Sequence, residues 1–285
     1  MKSQTPSLEF FDCNTWIGRP MNLPGGHAGP TDFSADSLLK AMDRAGIARA
    51  LVWHVAQRDA YPDVGNELLI QAIAGREGPP AAINRGGDPC WGVPNPDESG
   101  LGALVPCWTI LPPQSGEQGS VAQFFARAKK AGVKALRVFP DANRYLLRRE
   151  TMAEVLEPMI AAKMPLIVRV PGNVSWEHLY NLLADFPRLR VIMTGMGAWG
   201  TDRYFRPLLA KYPHVYVETS GYITDGGIEA LVADYGAGRM VFGSDYPEAY
   251  QGAMMLALAH AEIPQKDKQA IAGGNLNRLL AEVRP

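Results

Sequence analysis

The sequence predicts an α/β protein built as a (β/α)8 TIM barrel. Three observations carry that expectation. Short apolar runs alternate with segments of helical spacing along the whole chain, which is the signature of an α/β fold. Several of the runs are continuously apolar, as parallel strands covered on both faces are. The chain has 285 residues, and eight strand–helix units need about 250. One domain over residues 1–285 is the expectation, although two smaller domains also fit the length.

The elements follow in order. Leu8–Cys13 reads as the first strand, and Ser34–Ala45 as a helix with Leu38, Leu39 and Met42 on one face and Gly46 as its stop. Ala50–His54 is the second strand, Val64–Ala74 a helix, and Ala103–Leu111 the third strand. Val121–Ala131 is helical and ends at Gly132; Lys134–Phe139 is the fourth strand, closed by Pro140. Thr151–Lys163 is the next helix, with Pro158 expected to kink it. The second half repeats the rhythm more cleanly. Strands at Leu166–Val170, Arg190–Thr194, Val215–Thr219 and Arg239–Gly243 alternate with helices at Ser175–Ala184, Arg203–Lys211, Ile228–Tyr235 and Ala249–Ala261. A last helix, Lys266–Val283, is expected to cover one end. No GxGxxG follows the first strand, which weighs against a dinucleotide-binding sheet.

Composition narrows the function classes. Hydrophobic residues make up 47%, enough for a large core. The net charge is -1 with acids and bases interspersed, so there is no electrostatic case for nucleic acid or an anionic membrane. Cys13, Cys90 and Cys107 are an odd count without a CxxC, which argues against a disulfide framework. No signal-like segment and no long apolar run stands out. The expectation is a cytoplasmic protein that takes a small molecule. Neither a GxSxG elbow nor a P-loop lysine pattern occurs.

Two connections are long. Residues 18–33, with Arg19, His27 and several glycines, follow a strand and so fall on the active face of a barrel, as a lid or as an ordinary surface loop. Residues 75–102, rich in Gly and Pro, follow a helix; a homo-oligomer contact is the expectation for them.

Five segments carry a family resemblance. FFDCNTWIG at 10–18 is similar to an Asp-x-His-x-His-x-Gly strand-one motif, and VFGSDYP at 241–247 to a strand-eight signature with its catalytic aspartate. IAGGNLNRLL at 271–280 resembles a closing Asn-x-x-Arg-Leu helix. FPRLRVIMTGMGA (186–198) and HVYVETSG (214–221) resemble the sixth- and seventh-strand segments. Together they resemble the amidohydrolase superfamily, in its amidohydrolase-2 group of metal-dependent hydrolases. The resemblance implies a metal held by side chains at strand ends, and this chain departs from that set. Asn14 and Trp16 stand where the two strand-one histidines belong, Arg169 where the strand-five histidine belongs, and Gly195 where the strand-six histidine belongs. Trp offers no lone pair, and Arg stays protonated. Of the set only Asp245 remains, short of the three protein ligands of a catalytic zinc. No metal and no other cofactor is therefore expected.

A carboxylate deprived of its cation needs another positive partner. The expectation is an Arg169–Asp245 ion pair where the metal would sit, with Glu218 as an alternative partner for Arg169. His54, after the second strand, is a candidate general base or a histidine bonded into its loop. Arg137 and Arg169 together suit a ligand carboxylate, or each serves a buried acid. Asn14, Trp16, Trp108, Glu218, Ser220, Tyr246 and His27 complete the expected ligand-binding set. Two functions follow. One is a metal-independent hydrolase or decarboxylase of a small carboxylated or cyclic compound, with Asp245, Arg169 and His54 as the catalytic set. The other is an inactive homologue that binds a ligand or an active partner.

Overall fold

The structure, a computed structural model, describes residues 8–21, 32–74, 102–197 and 200–284. His27, Cys90, Trp199 and most of the 75–102 connection lie outside the described residues, so the lid and oligomer expectations are not located.

The strands are β1 Phe10–Ile17, β2 Ile47–His54, β3 Leu104–Thr109, β4 Ala135–Arg137, β5 Leu166–Arg169, β6 Val191–Thr194, β7 Val215–Glu218 and β8 Met240–Val241. They lie side by side in chain order, every neighbouring pair parallel. The last segment returns to the first: the Cys13 amide donates to the Phe242 carbonyl at 3.0 Å and the Trp16 amide to the Tyr246 carbonyl at 3.2 Å. The fold is the predicted (β/α)8 barrel.

The helices are α1 Ala35–Ala45, α2 Ala56–Asp59, α3 Pro62–Ala74, α4 Val121–Lys130, α5 Pro140–Asn143, α6 Arg149–Ala161, α7 Trp176–Asp185, α8 Asp202–Lys211, α9 Gly227–Tyr235, α10 Gln251–His260, α11 Gln265–Gln269 and α12 Asn275–Ala281. Their starts are chemically marked. Ser34 and Ser175 accept from the amides three residues on, and Ser120 forms a reciprocal capping box with Gln123. Gly46, at φ +78°, ends α1 in the left-handed conformation that glycine adopts without cost. No helix among the described residues is long and apolar enough to cross a membrane.

Among the elements that differ from the sequence reading are the first strand, the last strand and the final helix. β1 runs on to Ile17 instead of stopping at Cys13, because a register shift between Asp12 and Thr15 lets Thr15, Trp16 and Ile17 pair again with Val52, Trp53 and His54. β8 keeps only two residues. The predicted final helix is broken by a π-helical turn at Ala270–Gly274, between α11 and α12. There the backbone meets β1 closely: a Cβ on Gly273 would sit 2.7 Å from the Glu9 carbonyl oxygen.

Side chains alternate between two cores. Ile17, Val52, Leu136 and Val168 face outward onto the helices, whereas Cys13, Leu51, Trp53, Cys107, Ile167 and Tyr216 fill the barrel interior. From below, α12 contributes Leu276, Leu279 and Leu280 to the inner cluster, and Asn275 Nδ2 donates to the carbonyls of Ala237 and Met240 at 2.8 Å. The polar groups of the interior therefore gather at the opposite end.

Candidate active site at the barrel mouth

Asp245 follows β8 with φ +59°, a left-handed conformation that Asp tolerates better than most residues and that is common at functional sites. Arg169, the last residue of β5, reaches across: its Nη1 lies 2.6 Å from Asp245 Oδ1 and 2.8 Å from Oδ2. Asn14 Nδ2 donates to Asp245 Oδ1 at 3.0 Å, and Arg137 Nη2 donates to Asn14 Oδ1 at 2.8 Å. A continuous chain, Arg137–Asn14–Asp245–Arg169, thus joins β4, β1, the end of β8 and β5. Asn14 mediates because its amide both donates and accepts.

Gly195 makes room for this arrangement. It lies just after β6 with φ +80°, and a Cβ there would come 3.2 Å from Arg169 Cγ. Arg169 therefore occupies the space that a larger sixth-strand residue would enter.

Two further carboxyls are buried beside the chain. Asp12 accepts from the amides of Asn14 and Ser244, each at 3.0 Å, and from the Ser244 hydroxyl. Glu218, at the end of β7, accepts from the Ser220 amide and, at 2.6 Å, from the Ser220 hydroxyl. Burial pushes Glu218 up to about 8 and Asp12 up to about 6, against the pull of their serine bonds. Burial lowers Arg137; it also weighs on Arg169, but the neighbouring Asp245 carboxylate outweighs it and raises that guanidinium.

Aromatic rings close over Arg137. Its Cζ lies 5.2 Å from the Trp53 ring centroid, Trp53 meets Phe139 at 4.9 Å and Trp16 at 6.2 Å, and Trp16 stacks on Phe33 at 5.3 Å. Trp53 Nε1 and Arg137 Nε are buried with no partner among the described residues.

The amidohydrolase family profile matches residues 105–281, more than half of the chain. The chain belongs to the amidohydrolase family. No curated protein matches its sequence. Solved structures match in fold. An uncharacterized TIM-barrel protein from Bordetella bronchiseptica is 18% identical, with a TM-score of 0.67 over 96% of this chain and 99% of that one. The 5-carboxyvanillate decarboxylase of Sphingomonas paucimobilis is 14% identical, with a TM-score of 0.63 over 98% of this chain and 100% of that one. A putative 2-pyrone-4,6-dicarboxylic acid hydrolase from Pseudomonas putida is 15% identical, with a TM-score of 0.65 over 98% of this chain and 99% of that one.

Within this family member, the sequence-derived candidates divide in two. Asp245, Arg169, Asn14, Arg137, Trp16, Glu218 and Ser220 do meet at one end of the barrel. Arg169 pairs with Asp245, and Glu218 turns to Ser220 instead. His54 and Trp108 point the other way. His54 has the parity of Val52, its Nδ1 accepts from the Ala56 amide at 3.1 Å, and it lines an outer cavity of about 320 Å³ with Ile17, Ser34 and Gln71. Trp108 packs on Phe124 of α4, 5.8 Å between rings. Strand-end position is thus a poor guide without parity. Tyr246 contributes its carbonyl to barrel closure while its half-buried ring packs on the outer core. Phe139 and Asp12 are not among the sequence-derived candidates; Trp53, a tryptophan near a predicted strand end, is one and does face the interior. The i, i+2 step from Leu51 identifies Trp53 as inward-facing, and Asp12 opens the strand-one motif.

Proposed function

We propose that this amidohydrolase-family protein is a small-molecule enzyme, a single barrel domain over 1–285, that hydrolyses or decarboxylates a carboxylated or cyclic compound without a divalent metal. The observation that carries the reading is the Arg169 guanidinium held against both oxygens of Asp245 at the barrel mouth. The residues there do not fit a divalent cation. Asn14 spends its amide oxygen on Arg137, Trp16 offers no lone pair, Arg169 stays protonated and Gly195 has no side chain. Among the described residues no group of three or more His, Cys, Asp or Glu is placed to hold a metal ion.

The chemistry then falls to the chain's own groups. Arg169 keeps 32% of its side chain exposed, so one edge is open to a ligand carboxylate or a carbonyl oxygen in charge-assisted contact. Asp245, fixed by Arg169 and Asn14, exchanges a proton with the reacting group. Trp16, buried and stacked on Phe33, gives the mouth an apolar wall against a ring-bearing ligand. The substrate class is supported by two structural neighbours, named for 5-carboxyvanillate and 2-pyrone-4,6-dicarboxylic acid, both carboxylated rings.

A second reading, a non-catalytic homologue that binds a ligand or a partner subunit, is favoured by one observation: the Asp245 carboxylate is 12% exposed and already engaged on both oxygens. A panel of carboxylated aromatics and lactones separates the two. Turnover that survives chelation and disappears in Asp245→Asn supports the enzyme. Ligand binding without turnover, unchanged in Asp245→Asn, supports the second reading.

A further inference from the structure

The mouth holds three carboxyls, and only one of them has a cation. Asp245 is clamped by Arg169, whereas among the described residues neither Glu218 nor Asp12 makes an ion pair. The two lone acids differ in what surrounds them. Asp12 is tied to Ser244 and Asn14 and so joins β1 to the turn after β8, which is a structural task. Glu218 crosses no such seam. Both of its oxygens turn to Ser220, two residues along its own strand. Its carboxyl lies so close to Gly243 that any Cβ there would collide with it, so the head group is walled in from β8.

We infer that Glu218 is the proton donor of this site and that the Ser220 hydroxyl relays its proton to the mouth. The inference rests on the reading that the protein is a hydrolase or decarboxylase, and it assigns a residue to the step both reactions share. Loss of carbon dioxide leaves a carbanion that must be protonated, and hydrolysis leaves a departing atom that must be protonated. Asp245, held by a guanidinium, is the carboxylate of the pair. A site with one carboxyl paired and one buried without a cation has its base and its acid set apart by environment.

The relay balances atom by atom. In the acid form the proton sits on Glu218 Oε2, and the Ser220 hydroxyl, which otherwise donates to that oxygen, turns its O–H toward the mouth and accepts from it. When a substrate atom takes the proton, the Ser220 O–H bond breaks toward that atom, Glu218 Oε2–H breaks toward Ser220 Oγ, and Glu218 is left as carboxylate. Solvent restores the proton after product leaves. The surroundings of Glu218 oppose early ionisation on balance: burial and the charges of Asp245 and Asp12 disfavour the carboxylate, Cys13 on β1 is a neutral buried thiol, the Ser220 hydroxyl and amide favour the charge, and the Arg169 guanidinium is committed to Asp245.

Infrared difference spectra of the wild-type protein against Glu218→Gln, across a pH titration, read the proton directly. A carboxylic acid C=O stretch at neutral pH that is missing in Glu218→Gln supports the inference. Its absence overturns the inference, whether or not the protein turns anything over. The same proteins are then assayed on the carboxylate and lactone panel. Support requires kcat to fall by about 10²-fold or more in Glu218→Gln and in Ser220→Ala. KM should stay level, and Ser220→Thr, which keeps the hydroxyl, should recover most of the rate. A present stretch with unchanged kcat in Glu218→Gln overturns the donor role while leaving the proposed function intact. Absence of wild-type turnover on the whole panel instead refutes the proposed function, and the donor assignment falls with it.

Discussion

Asp12 and Ser244, 232 positions apart, join the two ends of the barrel sheet: the Ser244 amide and hydroxyl both donate to the Asp12 carboxylate. Ser244 immediately precedes Asp245, so this junction also sets where the Asp245 carboxylate points. Ser244→Ala removes one hydroxyl donor from a buried acid and should cost about 1–3 kcal/mol in chemical denaturation. Asp12→Ala should cost more than Ser244→Ala, because it leaves the amides of Asn14 and Ser244 unsatisfied. Equal stability of wild type and Asp12→Ala would remove this junction from the account.

Truncating Arg169 leaves Asp245 without its cation. Breaking a fully buried pair costs roughly 3–5 kcal/mol. Arg169 is partly exposed, so solvent screening brings the expected loss for Arg169→Ala down to about 1–3 kcal/mol. Asp245→Asn should lose less, since its partner then reaches water. A loss near zero for Arg169→Ala, measured by urea denaturation, contradicts the pairing.

Gly195→Ala tests the same pair from the neighbouring strand. The added methyl meets Arg169 Cγ at 3.2 Å on a backbone of φ +80° that alanine resists. Activity should fall further than a strain penalty of about 1–2 kcal/mol in stability explains. Retained activity with wild-type stability would show that Arg169 has slack.

Stability should decline from mildly acid toward alkaline pH. Glu218, pushed up to about 8, and Asp12, pushed up to about 6, have folded values above those of the unfolded chain. Between the two values the folded state holds more protons than the unfolded state. Stability that is complete below the unfolded range is therefore lost as pH rises through each folded value. The slope should be on the order of 1 kcal/mol per pH unit for each group. Glu218→Gln should flatten the segment that approaches pH 8, and an unchanged pH profile in that variant rejects the burial argument.

Chelation should change nothing. Dialysis against a strong chelator is expected to leave the melting temperature and any turnover as they were, with metal analysis of the purified protein substoichiometric. A tightly held zinc or manganese at one per chain would require a different donor set from the one at the mouth.

Much of the barrel was legible because alternation and caps are local. Ser34 and Ser175 open predicted helices and Gly46 closes one, and the structure uses each of them as a cap. The extension of β1 was not legible. It depends on a bulge that re-pairs Thr15–Ile17 with a distant strand, which no local signal announces. The π turn at Ala270–Gly274 likewise answers to β1, not to its own residues. At the site, the Arg169–Asp245 pair followed from the family resemblance, which puts both residues at positions of a metal's ligand set, and from the need of an acid without its metal for another cation. His54 and Trp108 misled because strands apolar on both faces hide which parity looks inward. Trp53, one residue before His54, is the inward one.

The leucines that α12 sends up from beneath stopper the lower end of the barrel and complete its inner packing. Shortening the chain before Leu276 should unplug that end: water would reach Ile167 and Tyr216 from below, and the cost would register as loss of fold before loss of chemistry.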